Sequence, residues 1–405
     1  MGNEVRYHYL MKDVQTLLEA YRAGAEVNAP FALATVVQVD GSAYRRPGAR
    51  MLIDLEGRRF GSLSGGCLEA DVAAHAMQAM SSGEPFVVRY DARHANGDMI
   101  LETGCKGAIA ILIEPFSTPD LSSSLGFLTD LFTDRQSGVM ATVFASEGED
   151  TVRIGDRLMI AENAVPSGGL KDTPLADAIL REAATMRPAE KTRAMACRSA
   201  QGVVHILLES LIPPIALLLC GSGHDTAPLV RIGAAMGWQV TVADPDSSAL
   251  TVDRYPDAHS LLPIRPECLT TRMAVDRRTA AVLMTHRYAA DLAWFRELLR
   301  SPVGYLGVLG PRLRWQEMQR DLAASGDVFP ESELARVHSP AGLDIGSETP
   351  EEIALAIVAE IQAVMNSRAG GFLRQRDARI HPTDGDAPLL PLFVSQGTVC
   401  PLSAS

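Results

Sequence analysis

A pattern of strand, glycine turn and helix is written twice in the first half of this chain, and that doubling restricts its fold more than any other feature. Ala34-Thr35-Val36, Gly48-Ala49-Arg50-Met51-Leu52-Ile53 and Gly61-Ser62-Leu63 recur as Ala141-Thr142-Val143, Gly155-Asp156-Arg157-Leu158-Met159-Ile160 and Gly168-Gly169-Leu170. From Ala34 to Ala141, Gly48 to Gly155 and Gly61 to Gly168 the offset is a constant 107 positions. Each copy then runs into a helical pattern. Where the first reads Ser64-Gly65-Gly66-Cys67-Leu68-Glu69, the second reads Lys171-Asp172-Thr173-Pro174-Leu175-Ala176. A duplication keeps in both halves what the fold needs. A feature present in one half points to chemistry, and here that feature is Cys67.

The copies are expected over about 25–115 and 130–212, inside an α+β domain that covers residues 1–212. Phe31–Val39 alternates as a strand does, with a turn at Asp40-Gly41. Met51–Leu55 and Arg59–Leu63 read as a hairpin about Glu56-Gly57. Ala108–Ile113 is a buried strand expected to close at Glu114-Pro115. Leu68, Val72, Ala76 and Met80 recur at helical spacing.

After Pro213-Pro214 the pattern changes to short apolar strands alternating with helices. Ile215–Cys220, Gln239–Ala243, Ala280–Met284 and Tyr305–Leu309 read as strands, with helices to Met236 and over Asp291–Arg300 and Arg312–Leu322. That alternation implies a parallel sheet with right-handed crossovers, a Rossmann-like domain over 213–368. Thr349, Pro350 and Glu352 form a capping box opening a helix at Pro350–Asn366. The fold class is therefore α/β: an internally duplicated α+β domain, then a parallel-sheet domain. Residues 369–405, rich in Gly, Pro, Asp and Ser, read as a poorly structured tail.

At 405 residues the chain is long enough for two or three cores, and 47% hydrophobic with 21% charged residues is ordinary globular composition. A net charge of −12 argues against nucleic acid or an anionic membrane as partner. No stretch is long and apolar enough for a membrane span. The N-terminal residues do not read as a secretion signal. Six widely spaced cysteines suit a reduced, cytoplasmic protein.

Three glycine motifs carry candidate chemistry. In the first, Gly65 and Gly66 allow a tight turn with amides open to an anion, and Cys67 at the first helical position would feel the helix dipole, which favours thiolate. The second, Thr103-Gly104-Cys105-Lys106-Gly107, is matched in the other copy by Ser199-Ala200-Gln201-Gly202, again without cysteine. Lys106 could steady a thiolate or contact a phosphate. Zinc with His75 or His94 as further ligands is unlike any closed structural site, so no metal site is expected. Arg45, Arg46 and Arg50 flank Pro47-Gly48, and Arg45 is the most distinctive candidate phosphate clamp.

The third motif is Gly221-Ser222-Gly223-His224-Asp225-Thr226. A turn without Cβ atoms before a helix is how a dinucleotide's pyrophosphate is seated, and Asp244, at the end of the next strand, stands where an acid binds a ribose hydroxyl. Thr226 replaces the third glycine, and His224-Asp225 intrude where dehydrogenases carry small residues. Thr285-His286-Arg287 follows a strand at the carboxyl edge of the sheet, and Gly342-Leu343-Asp344-Ile345-Gly346 is expected to line the same crevice. A NAD(P)-dependent oxidoreductase is one reading of this turn; a thiol redox protein pairing Cys67 with Cys105 is another.

Taken together, Gly61–Glu69, Gly104-Cys105-Lys106-Gly107, Gly221–Asp225, Thr285-His286, Gly307-Val308-Leu309-Gly310 and Pro340–Gly346 resemble the XdhC/CoxI family of xanthine dehydrogenase accessory proteins. The resemblance implies a chaperone that holds molybdenum cofactor (molybdopterin), assists its sulfuration and delivers it to a xanthine dehydrogenase-class molybdoenzyme. It implies a maturation factor with no catalytic residues of its own. Cys67 and Cys105 would belong to the cofactor site, a cysteine desulfurase would be a partner, and a homodimer is suggested. Two departures stand out: Lys106 replaces a usual glycine, and Arg287-Tyr288 follow His286 where many relatives carry an acid.

Overall fold

In a computed structural model the chain divides into two compact units, Met1–Pro213 with Ala378–Ser405, and Pro214–Asp377. The structure describes residues 14, 16–24, 29–41, 45–66, 68–91, 107–117, 124–148, 151–162, 164–186, 192–198, 202–375 and 399–401.

In the first unit, helix α1 (residues 16–24) leads into β1 (Pro30–Gly41), β2 (Arg50–Asp54), β3 (Arg59–Gly61), α2 (Glu69–Ser82), β4 (Phe86–Asp91) and β5 (Gly107–Ser117). The same succession follows as α3 (Ser124–Thr133), β6 (Gly138–Glu147), β7 (Arg157–Ala161), α4 (Leu175–Thr185), β8 (Thr192–Arg198) and β9 (Val203–Leu211). The first sheet has the order β3-β2-β1-β5-β4. The second places β8-β9-β6-β7 in the equivalent order, and the short β16 (Val399–Pro401) joins it in parallel beside β8.

The copies agree in detail as well as in order. β1 carries a register shift between Val36 and Gln38, and β6 carries one between Val143 and Ala145, again 107 positions on. Apolar residues alternate on each strand, so each sheet buries one face under its own helix: Ile111 and Ile113 with Val72 and Ala76, and Ile206 and Leu208 with Ala178 and Ile179. The opposite faces meet each other through Val37, Ala110, Leu112, Phe144 and Leu207.

Two expected turns lie inside strands. β1 runs through Asp40-Gly41 because β5 continues to pair with it as far as Gly107. β5 runs through Pro115, which is tolerated because its β4 partner has ended at Phe86↔Ile113, leaving an edge where a ladder N–H is not required.

The second unit is built on a six-stranded, all-parallel sheet. In chain order its elements are β10 (Ala216–Cys220), α5 (Thr226–Ala235), β11 (Gln239–Ala243), β12 (Ser260–Leu262), α6 (Leu269–Arg272), β13 (Thr279–Leu283), α7 (Tyr288–Arg300), β14 (Tyr305–Val308), α8 (Arg312–Ala324), α9 (Glu331–Leu334), β15 (Val337–His338) and α10 (Pro350–Met365). The strand order is β12-β11-β10-β13-β14-β15, so the chain reverses direction across the sheet between β10 and β13. Side chains of β10 point alternately into two cores: Leu217 and Leu219 with α5 and α10, Leu218 and Cys220 with α7. The expected capping box at Thr349 and Glu352 is present. The crevice at the carboxyl ends of β10 and β13 is where ligands of open α/β sheets bind.

Candidate functional site

The loop before α2 is folded around a carboxylate from its own chain. Glu69, 7% exposed, accepts hydrogen bonds from the Ser64 amide at 2.8 Å, the Ser64 hydroxyl at 2.6 Å, the Leu68 amide at 3.2 Å and the Leu63 amide at 3.3 Å. Burial alone would raise its pKa, but these donors, Ser64 foremost, outweigh it and hold the carboxyl below the ordinary glutamate value. The Gly66 amide turns to the Ser64 hydroxyl at 3.2 Å. The amides expected to await an external anion are therefore largely engaged by Glu69 and Ser64. Helix α2 begins at Glu69 with Leu68 as its N-cap, so position 67 precedes the helix rather than opening it. Gly66 is exposed, and among the described residues nothing lies within 4 Å of where its Cβ would stand. Ala176 replaces Glu69 in the second copy, so this clamp belongs to the first copy alone.

Cys67, Cys105, Lys106 and His94 lie outside the described residues. Arg45, the candidate phosphate clamp, is 4% exposed and engaged within the protein, and its neighbour Arg46 is the exposed one. Arg50 is committed to Glu209 at 2.7 Å. His75 pairs with Asp71 at 3.5 Å, and no group of three metal-ligating side chains occurs among the described residues.

In the second unit, Gly221 adopts φ +118° after β10, and a Cβ there would stand 2.7 Å from the Met284 carbonyl oxygen and 2.8 Å from the Thr285 Cα. This close approach of two strand ends requires glycine. At Gly223 the empty space is filled by Asp225: a Cβ there would meet Asp225 Oδ1 at 2.4 Å and the His286 ring at 3.4 Å. In dinucleotide folds the second glycine lets the pyrophosphate approach the backbone. Here a carboxylate of the protein stands against that glycine.

Asp225 Oδ2 lies 2.8 Å from His286 Nε2, while its Oδ1 is buried without a hydrogen-bond partner among the described residues. His286 itself has φ +57°, a left-handed conformation rare outside glycine, and such backbone strain gathers at working sites. Asp244, 6% exposed, ties two turns together: Oδ2 accepts from the Ser222 hydroxyl at 3.0 Å and Oδ1 from the Asp246 amide at 2.9 Å.

His224, Asp225 and His286 open onto a cavity of about 450 Å³. Leu229, Met284, Leu309, Ile353 and Ile357 give it apolar walls, and Asp291, Arg314 and Glu348 complete its polar lining. Asp291 accepts from the Thr285 amide and hydroxyl at 3.1 and 2.7 Å and pairs with Arg314. Sequence reading missed Asp291, Arg314 and Glu348, which sit among ordinary helical or loop charges. It quoted Glu69 without giving it a role. None of Gly342–Gly346, expected at the crevice, is among the residues lining the cavity: the Gly342 amide donates to Glu360 at 2.8 Å, and Glu348 and Pro350 line the cavity instead.

A Rossmann-type sheet with its glycine turn filled from within, joined to a doubled antiparallel unit with one distinctive loop, defines a two-domain class built on a nucleotide-binding fold. Residues 217–361 match the model of the XdhC Rossmann domain, and residues 25–91 match that of the XdhC and CoxI family. A protein of Bacillus subtilis (strain 168), named as a probable xanthine dehydrogenase component, is 31% identical over 353 residues, 87% of this chain and 97% of that protein. The molybdenum cofactor insertion chaperone PaoD of Escherichia coli (strain K12) is 37% identical over 81 residues, 20% of this chain and 25% of that protein. A crystal structure described as a xanthine dehydrogenase from Bacillus halodurans superposes with a TM-score of 0.67 at 25% identity, covering 88% of this chain and 96% of that one. The chain belongs to the XdhC/CoxI family.

Proposed function

We propose that this chain is a maturation factor that binds molybdenum cofactor and delivers it to an apo-enzyme of the xanthine dehydrogenase class. The observation that carries the reading is the loop at 62–69. Within a doubled frame, the first copy alone braces this loop on Glu69, with Gly66 exposed and no described residue within 4 Å of its Cβ position. The names of the Bacillus and Escherichia relatives support the same role.

An anionic pterin bearing a dithiolene-bound metal calls for soft sulfur and for donors to its phosphate. Cys67 and Cys105 are the sulfurs this chain offers in glycine loops, Gly65 and Lys106 are the neighbouring donors, and Gly66, its amide engaged by Ser64, gives the cofactor room to approach. Glu69 acts as a positioning residue that holds the loop's shape before the cofactor arrives. Assistance to sulfuration, with a cysteine desulfurase as sulfur source, belongs to the same proposal. No helix among the described residues is long and apolar enough to cross a membrane, which suits hand-over between soluble partners.

The test is retention. Purified chain mixed with molybdenum cofactor is passed through gel filtration, and the molybdenum that co-elutes is measured. Wild type should carry close to one equivalent, with Cys67→Ser and Cys105→Ser each retaining much less. Equal retention in the variants would reject the reading.

A further inference from the structure

The cavity of the second unit holds most of its polar groups in pairs. Asp225 is tied to His286, and Asp291 is answered by Arg314. Of the carboxylates in the lining, only Glu348, exposed, has no ion pair among the described residues. Paired charges over apolar walls suit an uncharged guest. One donor is left over. Arg314 Nε is buried and has no hydrogen-bond partner among the described residues, since the tie to Asp291 runs through Nη2. The guanidinium lies 5.5 Å over the Tyr288 ring, and Gly310 makes room for its stem: a Cβ there would stand 2.9 Å from Arg314 Cδ.

A base stands in the same cavity. The Nε2–Cδ2 edge of His286 faces the glycine turn: Nε2 is 2.8 Å from Asp225 Oδ2, and both ring atoms are 3.4 Å from where a Gly223 Cβ would stand. In the neutral ring the proton therefore belongs on Nε2, donated to the carboxylate, and Nδ1 turns away from the loop with its lone pair. A carboxylate that orients a histidine in this way is the arrangement of a general base. Base and donor are braced together. Thr285, next to His286, donates its amide and hydroxyl to Asp291 Oδ1, and Asp291 Oδ2 receives Arg314. Within that brace His286 keeps its left-handed φ of +57°.

We propose that this cavity takes an uncharged carbonyl compound with an apolar body, and that His286 moves a proton at the carbon beside the carbonyl. The carbonyl oxygen accepts from Arg314 Nε. His286 Nδ1 takes the α-proton, the C–H electron pair becomes the double bond of the enolate, and the carbonyl π pair moves to oxygen, where the guanidinium meets its charge. Returning the proton to the same carbon is exchange; returning it further along an unsaturated body is isomerisation. Neither needs an oxidant or a reductant. His286 and Arg314 are the catalytic residues, and Asp225 and Asp291 are positioning residues. The site stands independently of the loop at Cys67.

The full chain is incubated in deuterium oxide with cyclohexanone and, separately, with 2-tetralone, and loss of the α-proton signal is followed by proton NMR. Saturable exchange of at least one ketone, about a hundredfold or more above the buffer rate, is expected. His286→Gly should fall to the buffer rate yet keep its fold, because glycine accepts φ +57° without strain. Imidazole added to that variant should restore exchange beyond what imidazole achieves alone. Arg314→Lys, which keeps a cation for Asp291 but has no Nε–H, should lose about tenfold or more. Asp225→Asn should lose a similar factor, and nitrogen-15 spectra of the His286 ring should change from a proton on Nε2 to a mixture of tautomers. A purely structural aspartate would leave the tautomer unaltered. Exchange of both ketones at the buffer rate, or undiminished exchange in His286→Gly, would overturn the proposal. Cofactor retention in Cys67→Ser and ketone exchange in His286→Gly are separate measurements, so either reading can fail alone.

Discussion

Arg50 of the first copy and Glu209 of the second form an ion pair at 2.7 Å, with both side chains 3% exposed, and Arg157 of the second copy pairs in the same way with Glu114 of the first. Each arginine also donates to a glycine carbonyl two residues earlier, Gly48 or Gly155, at 3.0 and 2.8 Å. Those glycines, at φ +90° and +94°, leave room for the glutamate arriving from the other copy: a Cβ would stand 2.7 Å from Glu209 Oε1 at Gly48 and 3.1 Å from Glu114 Oε1 at Gly155. The exchange is that of a two-fold interface, in which residue i meets j and j meets i.

Glu209→Gln therefore strands a guanidinium out of water and is expected to destabilise the first unit by about 3–5 kcal/mol, whereas replacing both partners together, Arg50→Met with Glu209→Leu, is expected to cost far less. Chemical denaturation of the single and paired variants measures the contrast. Similar losses in both would refute the assignment.

Glu69 gives the first unit a pH dependence of known sign. Its folded pKa is lowered, so its contribution to stability is complete above the unfolded value of 4.5 and fades as the pH falls through the lower folded value. Thermal unfolding of wild type should exceed that of Glu69→Gln at neutral pH, with the gap closing only as the solution is acidified below about pH 4.5. A gap independent of pH would show that charge plays no part.

Gly221→Ala should damage the second unit, because its φ of +118° alone costs a side chain roughly 1–3 kcal/mol, and the methyl would also press on the backbone at Met284 and Thr285. Gly57→Ala provides the comparison: at φ +75°, with none of the described residues within 4 Å, it meets the conformational cost alone. The melting temperature should fall further for Gly221→Ala than for Gly57→Ala, and equal shifts would contradict the contact.

The doubling was legible because equivalent glycines and strands recur at one offset, and the parallel sheet because its strands are short apolar runs between helical patterns. The cap at Thr349 and the closing acid at Asp244 follow from local spacing, which sequence displays directly. Strand ends at Asp40 and Pro115 were misjudged because a strand's extent depends on where its neighbours stop. Arg50 with Glu209, and Asp225 over Gly223, depend on contacts between distant segments, for which no residue type is a signature. Both glycine turns looked open in the sequence, and both proved to be held by a carboxylate of the chain itself.

Strand β16 has a consequence for how the polypeptide is made. Residues 399–401 complete a sheet begun some two hundred residues upstream, with all of the second unit synthesised in between. On the ribosome, β8 must wait with an unpaired border until residues 399–401 have been made, and such borders invite association with other chains. Nascent protein cut short after the second unit would leave that border bare.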